Sequence, residues 1–347
     1  MKEARSWLFY GSLVAVYLTL NSVLNLTNKW VLSSDTGYGF SFPLLLTSCH
    51  MAFSFAALLP MMLAPAKRAL HMETLGKQWR GLVAVGMFMA LNISLNNTSL
   101  VWLALSVNQV IRASIPIFTA ILAVVVEHQV PSPGEAVGLV ALTAGVMIAV
   151  YEGSGAAGPV AVFLCVLGTI CNAAMMTFSG KLLSEKINVL RLAFYTAPVS
   201  LVVLLPFLWM READSLQKYM TLHSYDVYLI ILLSSGVALS YNVVHSLMIQ
   251  HTSAVATTVI GEAKIVGLLL LSALVLGERN LFSVNMLVGC GVFLGGLAVY
   301  SQYKLRAVSA KAIAQLKAGG ADDERLIEAV PLTNSDASSA SHRREVS

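Results

Sequence analysis

The chain has 347 residues, of which 57% are hydrophobic and only 12% are charged, and its mean hydropathy is +0.74. A soluble core cannot use so many apolar side chains, so this composition excludes a soluble globular protein and predicts an all-α polytopic membrane protein. The formal net charge of +4 follows from the orientation of the chain in the bilayer and predicts no nucleic-acid partner.

Ten apolar segments are long enough to cross a hydrocarbon core about 30 Å thick as helices. The predicted spans are 8–31, 40–63, 80–99, 102–126, 135–152, 158–180, 190–210, 226–250, 253–276 and 283–303. They divide into halves of five spans each, at about 8–152 and 158–303, preceded by residues 1–7. We expect residues 304–347 to form a tail that is disordered after about residue 319, because its composition there is polar and rich in Ser and Ala.

The positive charges predict how the chain lies in the membrane. Of the 22 Lys and Arg residues, two lie deep inside predicted spans. With the N-terminus in the cytosol, sixteen of the others fall on the cytosolic side and four on the opposite side. By the positive-inside rule, we expect both termini in the cytosol.

The two halves carry matching markers. Arg112 precedes Glu127 by 15 residues, and Lys264 precedes Glu278 by 14 residues, each in the fourth span of its half. Because each half has an odd number of spans, related halves would have opposite orientations in the membrane. The sequence therefore predicts ten transmembrane helices arranged as two inverted five-helix repeats.

Lys264 stands near the middle of the ninth predicted span. A charge at that depth costs about 2.5–3.5 kcal/mol on insertion scales, so it normally marks a substrate or ion path. Glu262 is two residues away, and residues two apart on a helix do not face each other. Lys264 is therefore expected to contact a ligand or a partner from another helix.

In the fourth span, Asn108, Gln109 and Arg112 share one helical face. Arg112 could form a planar fork for a phosphate or carboxylate, or it could pair with Glu262 across the bundle. A carrier can use both arrangements at different times, so both stay open.

The first span has a polar stripe of Asn21, Asn25 and Asn28, followed by Lys29. The stripe should face inward, although Lys29 lies near the end of the span and could extend its ammonium group to the interface instead. Asn28 and Lys29 are both candidate binding residues.

Tyrosines provide a second group of candidates. Tyr195 opens the seventh span, and Tyr241, Asn242 and His245 lie in the eighth. A tyrosine ring with a polar hydroxyl suits a sugar or a base, while the alternative is a hydrogen bond between neighbouring helices.

Small residues predict where helices approach closely. They are Gly134, Gly138, Gly145, Gly261, Gly267, Gly289, Gly291, Gly295 and Gly296. Packing between helices is the expected role for most of them.

Motifs of ATP-driven pumps, dinucleotide enzymes, zinc proteases and catalytic triads are absent from the sequence. We therefore expect neither an enzyme nor a cofactor or metal. A channel or ligand-gated receptor and an enzyme of lipid-linked sugars remain as other classes. Ten spans with two matched halves favour a carrier.

Four segments carry a family resemblance: residues 25–30 (NLTNKW), 106–118 (SVNQVIRASIPIF), 194–206 (FYTAPVSLVVLLP) and 240–278, which contains GEAK. They resemble the triose-phosphate and nucleotide-sugar translocator family of the drug/metabolite transporter superfamily. The resemblance covers about residues 8–303. It implies two inverted five-helix repeats around a cavity that opens alternately to the cytosol and the lumen.

The resemblance also implies residue roles. Gly261 and Lys264 match the family's Gly-x-x-Lys element, whose lysine holds the substrate phosphate, and Arg112 matches the basic residue of the fourth span. Tyr195 belongs to an FYNN-like element that contacts the nucleotide, although the two asparagines are replaced here. The lysine-arginine pair of plastid phosphate translocators is missing, because Ile265 follows Lys264.

The resemblance implies an antiporter that exchanges a nucleotide sugar for a nucleoside monophosphate across a Golgi or other secretory membrane. The alternative is exchange of a sugar phosphate for phosphate. The guanosine-diphosphate-mannose pattern GALNK is absent, which argues against that sugar donor. The chain would work within the lipid bilayer, and a homodimer is left open.

Overall fold

The computed structural model describes residues 2–32, 38–64, 68–99, 102–103, 108, 111–150, 158–222, 226–262 and 284–318. These ranges contain no β-strand. Their helices are α1 (Lys2–Leu32), α2 (Pro43–Met62), α3 (Arg68–Ser99), α4 (Ile115–Val126), α5 (Pro133–Val150), α6 (Pro159–Ser184), α7 (Val189–Leu222), α8 (Asp226–His251) and α9 (Val284–Ala318). Residues 254–262, between α8 and α9, are also helical.

Six of the described helices are long and apolar enough to cross a membrane, which confirms an all-α polytopic membrane protein. These stretches are Leu8–Leu32, Pro43–Met62, Leu70–Ser99, Pro159–Ser184, Val189–Gln217 and Val227–His251. Ile115–Val126 and Pro133–Ile148 are shorter apolar helices. The predicted ninth span falls mostly on residues 263–283, outside the described residues, so a total of ten spans stays a prediction.

Prolines set the beginnings of several helices. Pro43 and Pro159 begin α2 and α6, and Pro116 is the second residue of α4. Proline fits the first turn because it has no N–H to leave unpaired and its φ is already helical. At the start of α5, Ser132 and Glu135 form a capping box, in which the Glu135 carboxylate accepts the Ser132 N–H at 2.7 Å.

Contacts between helices follow a two-fold pattern. The five helical segments of the first half, α1 to α5, can be matched in order with α6, α7, α8, residues 254–262 and α9. Exchanging the halves then maps the main contacts between the long helices onto one another. The α1–α8 contact matches α6–α3, and the α3–α7 contact matches α8–α2. The α2–α7 and α5–α9 contacts each map onto themselves. This is the pattern expected of two related repeats.

Glycines bring α5 and α9 into backbone contact. A Cβ atom on Gly145 would lie 2.3 Å from the Phe293 backbone nitrogen, and one on Gly138 would lie 2.6 Å from that of Tyr300. On α9, a Cβ atom on Gly296 would lie 2.4 Å from the backbone of α5. These distances are below van der Waals contact, so only glycine fits at the three positions. The predicted packing role of these glycines is confirmed.

At one end of the bundle, α7 caps α2. Glu212 of α7 is 7% exposed, and its two carboxylate oxygens accept the N–H groups of Leu44 and Leu45 at 2.8 Å each. These groups lie in the first turn of α2, whose own N-cap residue makes no side-chain bond. A carboxylate there is favoured by the helix dipole and satisfies two otherwise unpaired donors. Because α2 and α7 belong to different halves, this contact joins the halves.

Aromatic rings pack beside this cap. Phe40, Phe42 and Tyr219 meet edge to face with ring centroids 5.1 to 5.6 Å apart. They belong to a cluster with Val31 and Val227, at the end of α1 and the start of α8. The cluster packs the ends of α1, α2, α7 and α8 against one another, at the end that the predicted orientation places on the luminal side.

Replacing Glu212 by alanine should lower the thermal unfolding midpoint of the purified protein. The substitution leaves two buried N–H groups of α2 without an acceptor, and hydrogen bonds to a charged group contribute about 1.5–3 kcal/mol. Asp214→Ala is the matched control, because it removes an exposed carboxylate from the same helix. Equal midpoints for the two variants would contradict the capping role.

At the opposite end, Glu127 follows α4 directly and lies beside Gly180 of α6. A Cβ atom on Gly180 would be 2.5 Å from the Glu127 Oε1 atom, so the glycine makes room for this carboxyl group. Burial raises the pKa of Glu127, and the nearby Lys304 and Lys181 partly offset that shift. Lys304 also lies 3.7 Å from Glu135. Acidic and basic side chains are thus interleaved at the predicted cytosolic end.

Candidate substrate-binding cavity

A cavity of about 480 Å³ lies at the centre of the bundle. Every described helix except α5 and α9 contributes to its wall, as do residues 254–262. Small-molecule sites are typically clefts of about 300–1,000 Å³. The cavity therefore has the size and position of a substrate site between the two halves.

Five asparagine side chains line the cavity: Asn21, Asn25, Asn92, Asn172 and Asn242. Each carboxamide offers two N–H donors and one acceptor oxygen. Polar side chains inside apolar helices are costly against lipid and normally face a polar interior. The cavity is thus built to form many hydrogen bonds with a ligand.

Arg112 provides the positive charge of the described cavity wall. It lies in a short helical turn just before α4, is half-buried, and donates from Nη1 to Asn92 Oδ1 at 3.2 Å. A guanidinium group has five N–H donors. After this one bond, donors remain for an anionic group in the cavity.

Glu262 lies at the end of the helical residues 254–262 and is 6% exposed. It lines the same cavity as Arg112. Its position is compatible with an ion pair to Arg112 when no substrate is bound. It is also compatible with an Arg112 fork that grips a phosphate.

An aromatic group lines another part of the wall. Tyr17, Tyr241 and His245 lie with ring centroids 5.4 to 6.0 Å apart and interplanar angles of 16° to 21°. Asn21 Nδ2 donates to the Tyr241 hydroxyl at 3.5 Å. A Cβ atom on Gly261 would lie 3.3 Å from the Tyr17 hydroxyl, so Gly261 lets residues 254–262 pack closely on α1.

Four of the residues predicted for the site line this cavity: Arg112, Tyr241, Asn242 and Gly261. They come from three separate parts of the chain. The structure therefore brings a cation, a phenol, an amide and a close-approach glycine to one place.

Three predicted site residues lie outside the cavity lining. Asn108 is 1% exposed and donates to Asn96 Oδ1 at 3.0 Å, between helices rather than toward the cavity. The Tyr195 hydroxyl bonds to the His71 ring at the start of α3. Asn28 accepts a 3.5 Å bond from Ser234 of α8. All three make contacts between helices.

The other predicted site residues cannot be placed. Lys264 and Gln109 lie outside the described residues, and the backbone of Lys29 is described without its side chain. Their roles stay predictions.

Asn172 and Tyr17 line the cavity but were not among the predicted binding residues. Asn172 is the one amide or charged side chain in the predicted span 158–180, which is the signal that could have identified it. Tyr17 gives no comparable signal, because its contacts with α8 depend on how distant helices pack.

Comparison with known proteins supports a transport function. The chain is 30% identical to a probable sugar phosphate/phosphate translocator of Arabidopsis thaliana over 309 residues, which cover 86% of this chain and 84% of the relative. A second relative with the same description, also from Arabidopsis thaliana, is 30% identical over 88% of this chain and 99% of its own length. UDP-uronic acid transporter 1 of the same plant is 29% identical over 86% of this chain and 96% of that protein.

A solved crystal structure shows a similar fold. It superimposes with a TM-score of 0.59 over 85% of this chain and 97% of the other chain, at 13% sequence identity. At that identity the similarity supports the fold alone.

The model of the Triose-phosphate Transporter family matches residues 8–301, which include the cavity and all the described spans. The relatives described above are named translocators or transporters rather than enzymes. The chain belongs to the Triose-phosphate Transporter family.

Proposed function

We propose that the chain is an antiporter that carries a nucleotide sugar across a secretory-pathway membrane in exchange for a nucleoside monophosphate. The observation that carries this proposal is the composition of the central cavity, which combines Arg112 with five asparagines and an aromatic group. A phosphate needs cationic donors, whereas a sugar and a base need neutral donors and acceptors. The cavity wall offers both.

Phosphate recognition would involve Arg112 together with Lys264. The sequence places Lys264 three residues after Gly261, which lines the cavity. Arg112 supplies a planar fork and Lys264 a compact charge. Cytosolic termini complete the proposal and rest on the distribution of Lys and Arg outside the spans. A Golgi or other secretory-pathway location rests on the resemblance to nucleotide-sugar translocators.

Alternating access is supported by the packing of the two halves. The Glu212 cap and the aromatic cluster beside it hold α2 and α7 together at one end of the bundle. On α6, α7 and α8, the cavity-lining residues come from the half of each helix nearer the opposite end. Separation of α2 and α7 at that end would expose the cavity to the other side of the membrane.

Exchange of a sugar phosphate for phosphate is the second candidate. Several relatives are described as probable sugar phosphate/phosphate translocators, which favours this reading. Such a ligand would also use Arg112, but it has no base to place against Tyr17, Tyr241 and His245.

A thermal-shift screen of the purified full-length protein separates the two candidates. A ligand at 100 times its dissociation constant stabilises the folded protein by about 2.7 kcal/mol. We expect nucleotide sugars and nucleoside monophosphates to raise the unfolding midpoint more than hexose phosphates at equal concentration. Stabilisation by hexose phosphates and phosphate alone would overturn the nucleotide-sugar proposal in favour of the second candidate.

A further inference from the structure

Asn172 and Asn242 differ from the other asparagines of the cavity in having no hydrogen-bond partner in the part of the chain that the structure describes. Asn21, Asn25 and Asn92 bond to neighbouring side chains. Among the described residues, the carboxamides of Asn172 and Asn242 make no hydrogen bond, although both are half-buried and line the cavity. Polar groups held inside an apolar bundle without protein partners are available to a ligand.

The position of Asn172 relates it to the phosphate end of the cavity. Gly168, one helical turn before it on α6, packs against α3, and a Cβ atom there would lie 3.5 Å from the Asn92 carbonyl oxygen. Asn92 is the residue that accepts the Arg112 bond. Asn172 thus lies about one helical turn from the point where α6 packs against the Asn92 backbone, and Asn92 holds Arg112. From this we infer that Asn172 contacts the part of the ligand that is attached to the bound phosphate.

The chemistry of a carboxamide decides which group that is. A phosphate has acceptor oxygens, so it could accept the N–H groups of Asn172 but would leave the Asn172 carbonyl oxygen unpaired. A sugar hydroxyl both donates and accepts, so a ring with several hydroxyls can satisfy both parts of the amide. Leaving a buried polar atom unpaired is costly, so a hydroxyl-bearing ring is favoured over a second phosphate.

We propose that Asn172 is a specificity-determining residue that binds the hydroxyls of the sugar ring attached to the Arg112-bound phosphate. This rests on the proposed function insofar as the cavity carries a phosphorylated sugar. It applies equally to a nucleotide sugar and to a sugar phosphate.

The experiment uses two ligand pairs whose members differ by one glucosyl group: UDP-glucose with UDP, and glucose 1-phosphate with inorganic phosphate. Dissociation constants are measured by thermal-shift titration of the full-length protein and its Asn172→Leu variant. We expect the variant to weaken binding of the glucosylated member about tenfold, and that of the other member less than about twofold. The affinity of Asn172→Ser for the glucosylated ligands should lie between those of the wild-type protein and Asn172→Leu, because serine provides a small hydroxyl group.

Gln217→Leu is the matched control, because it makes the same amide-to-leucine change at an exposed position of α7 outside the cavity lining. It should leave all four dissociation constants unchanged. In one outcome UDP-glucose and UDP do not bind, but Asn172→Leu weakens binding of glucose 1-phosphate about tenfold and that of phosphate less than about twofold. The nucleotide-sugar proposal then fails and the role of Asn172 stands.

Equal weakening of both members of a pair would overturn the inference, since Asn172 would then act on the shape of the cavity. Unchanged affinities would overturn it as well, as would a wild-type protein that binds neither pair. If both variants of Asn172 unfold before any ligand is added, the residue is structural and the inference is wrong.

Discussion

Replacing Arg112 by alanine should weaken substrate binding about ten- to a hundredfold, because each hydrogen bond to a charged group contributes about 1.5–3 kcal/mol. Lys264→Ala should have a similar effect. If both side chains grip one phosphate, the double variant should lose less than the sum of the two single losses, as expected of residues in one network. Dissociation constants from ligand titrations of purified variants provide the measurement.

The alternative pairing of Arg112 with Glu262 gives a different result. If Arg112 only neutralises Glu262, then Glu262→Gln should restore the binding that Arg112→Ala has lost. Recovery of the wild-type dissociation constant in that double variant would contradict a phosphate fork at Arg112. Strictly additive losses for Arg112 and Lys264 would place the two cations in separate sites.

The largest effect on stability is expected at Gly145. An added Cβ atom would lie 2.3 Å from the Phe293 nitrogen and 2.6 Å from its Cα, and both are backbone atoms that cannot rotate away. Gly145→Ala should therefore force α5 and α9 apart and cost about 3 kcal/mol or more, the upper range for overpacking. The thermal unfolding midpoint of the purified protein reports the loss.

Gly295 on α9 offers a matched control. A Cβ atom on Gly295 would meet no atom within 4 Å, so Gly295→Ala should leave the midpoint unchanged or raise it slightly. A similar midpoint for the Gly145 and Gly295 variants would show that close packing of α5 on α9 does not stabilise the fold.

Comparing these glycines shows what a sequence pattern can predict. Small residues in a span indicate a close helix contact, and Gly138, Gly145 and Gly296 confirm it. Gly291 and Gly295 lie in the same apolar segment, but each has open space around it. The sequence cannot separate the two groups, because the face of α9 that meets α5 depends on the packing of both halves.

The candidate site also shows what helical spacing in the sequence cannot predict. Arg112 was predicted as a candidate anion-binding residue from its place in the fourth span, and it does line the cavity. Asn108 was grouped with it by helical spacing, yet its amide bonds to Asn96 and Ser99. A cavity wall and a polar contact between helices both require a polar residue, so spacing alone does not distinguish them. Tyr195 is a similar case, since its hydroxyl bonds to His71, which is 124 residues away in the chain.

Counterflow tests the central claim of coupled exchange most directly. Wild-type protein is reconstituted into liposomes that contain a nucleoside monophosphate, and uptake of a labelled nucleotide sugar is compared with uptake into empty liposomes. We expect rapid uptake only in the loaded liposomes, and its loss in Arg112→Ala. Equal uptake into loaded and empty liposomes would contradict an antiporter and indicate a channel-like leak.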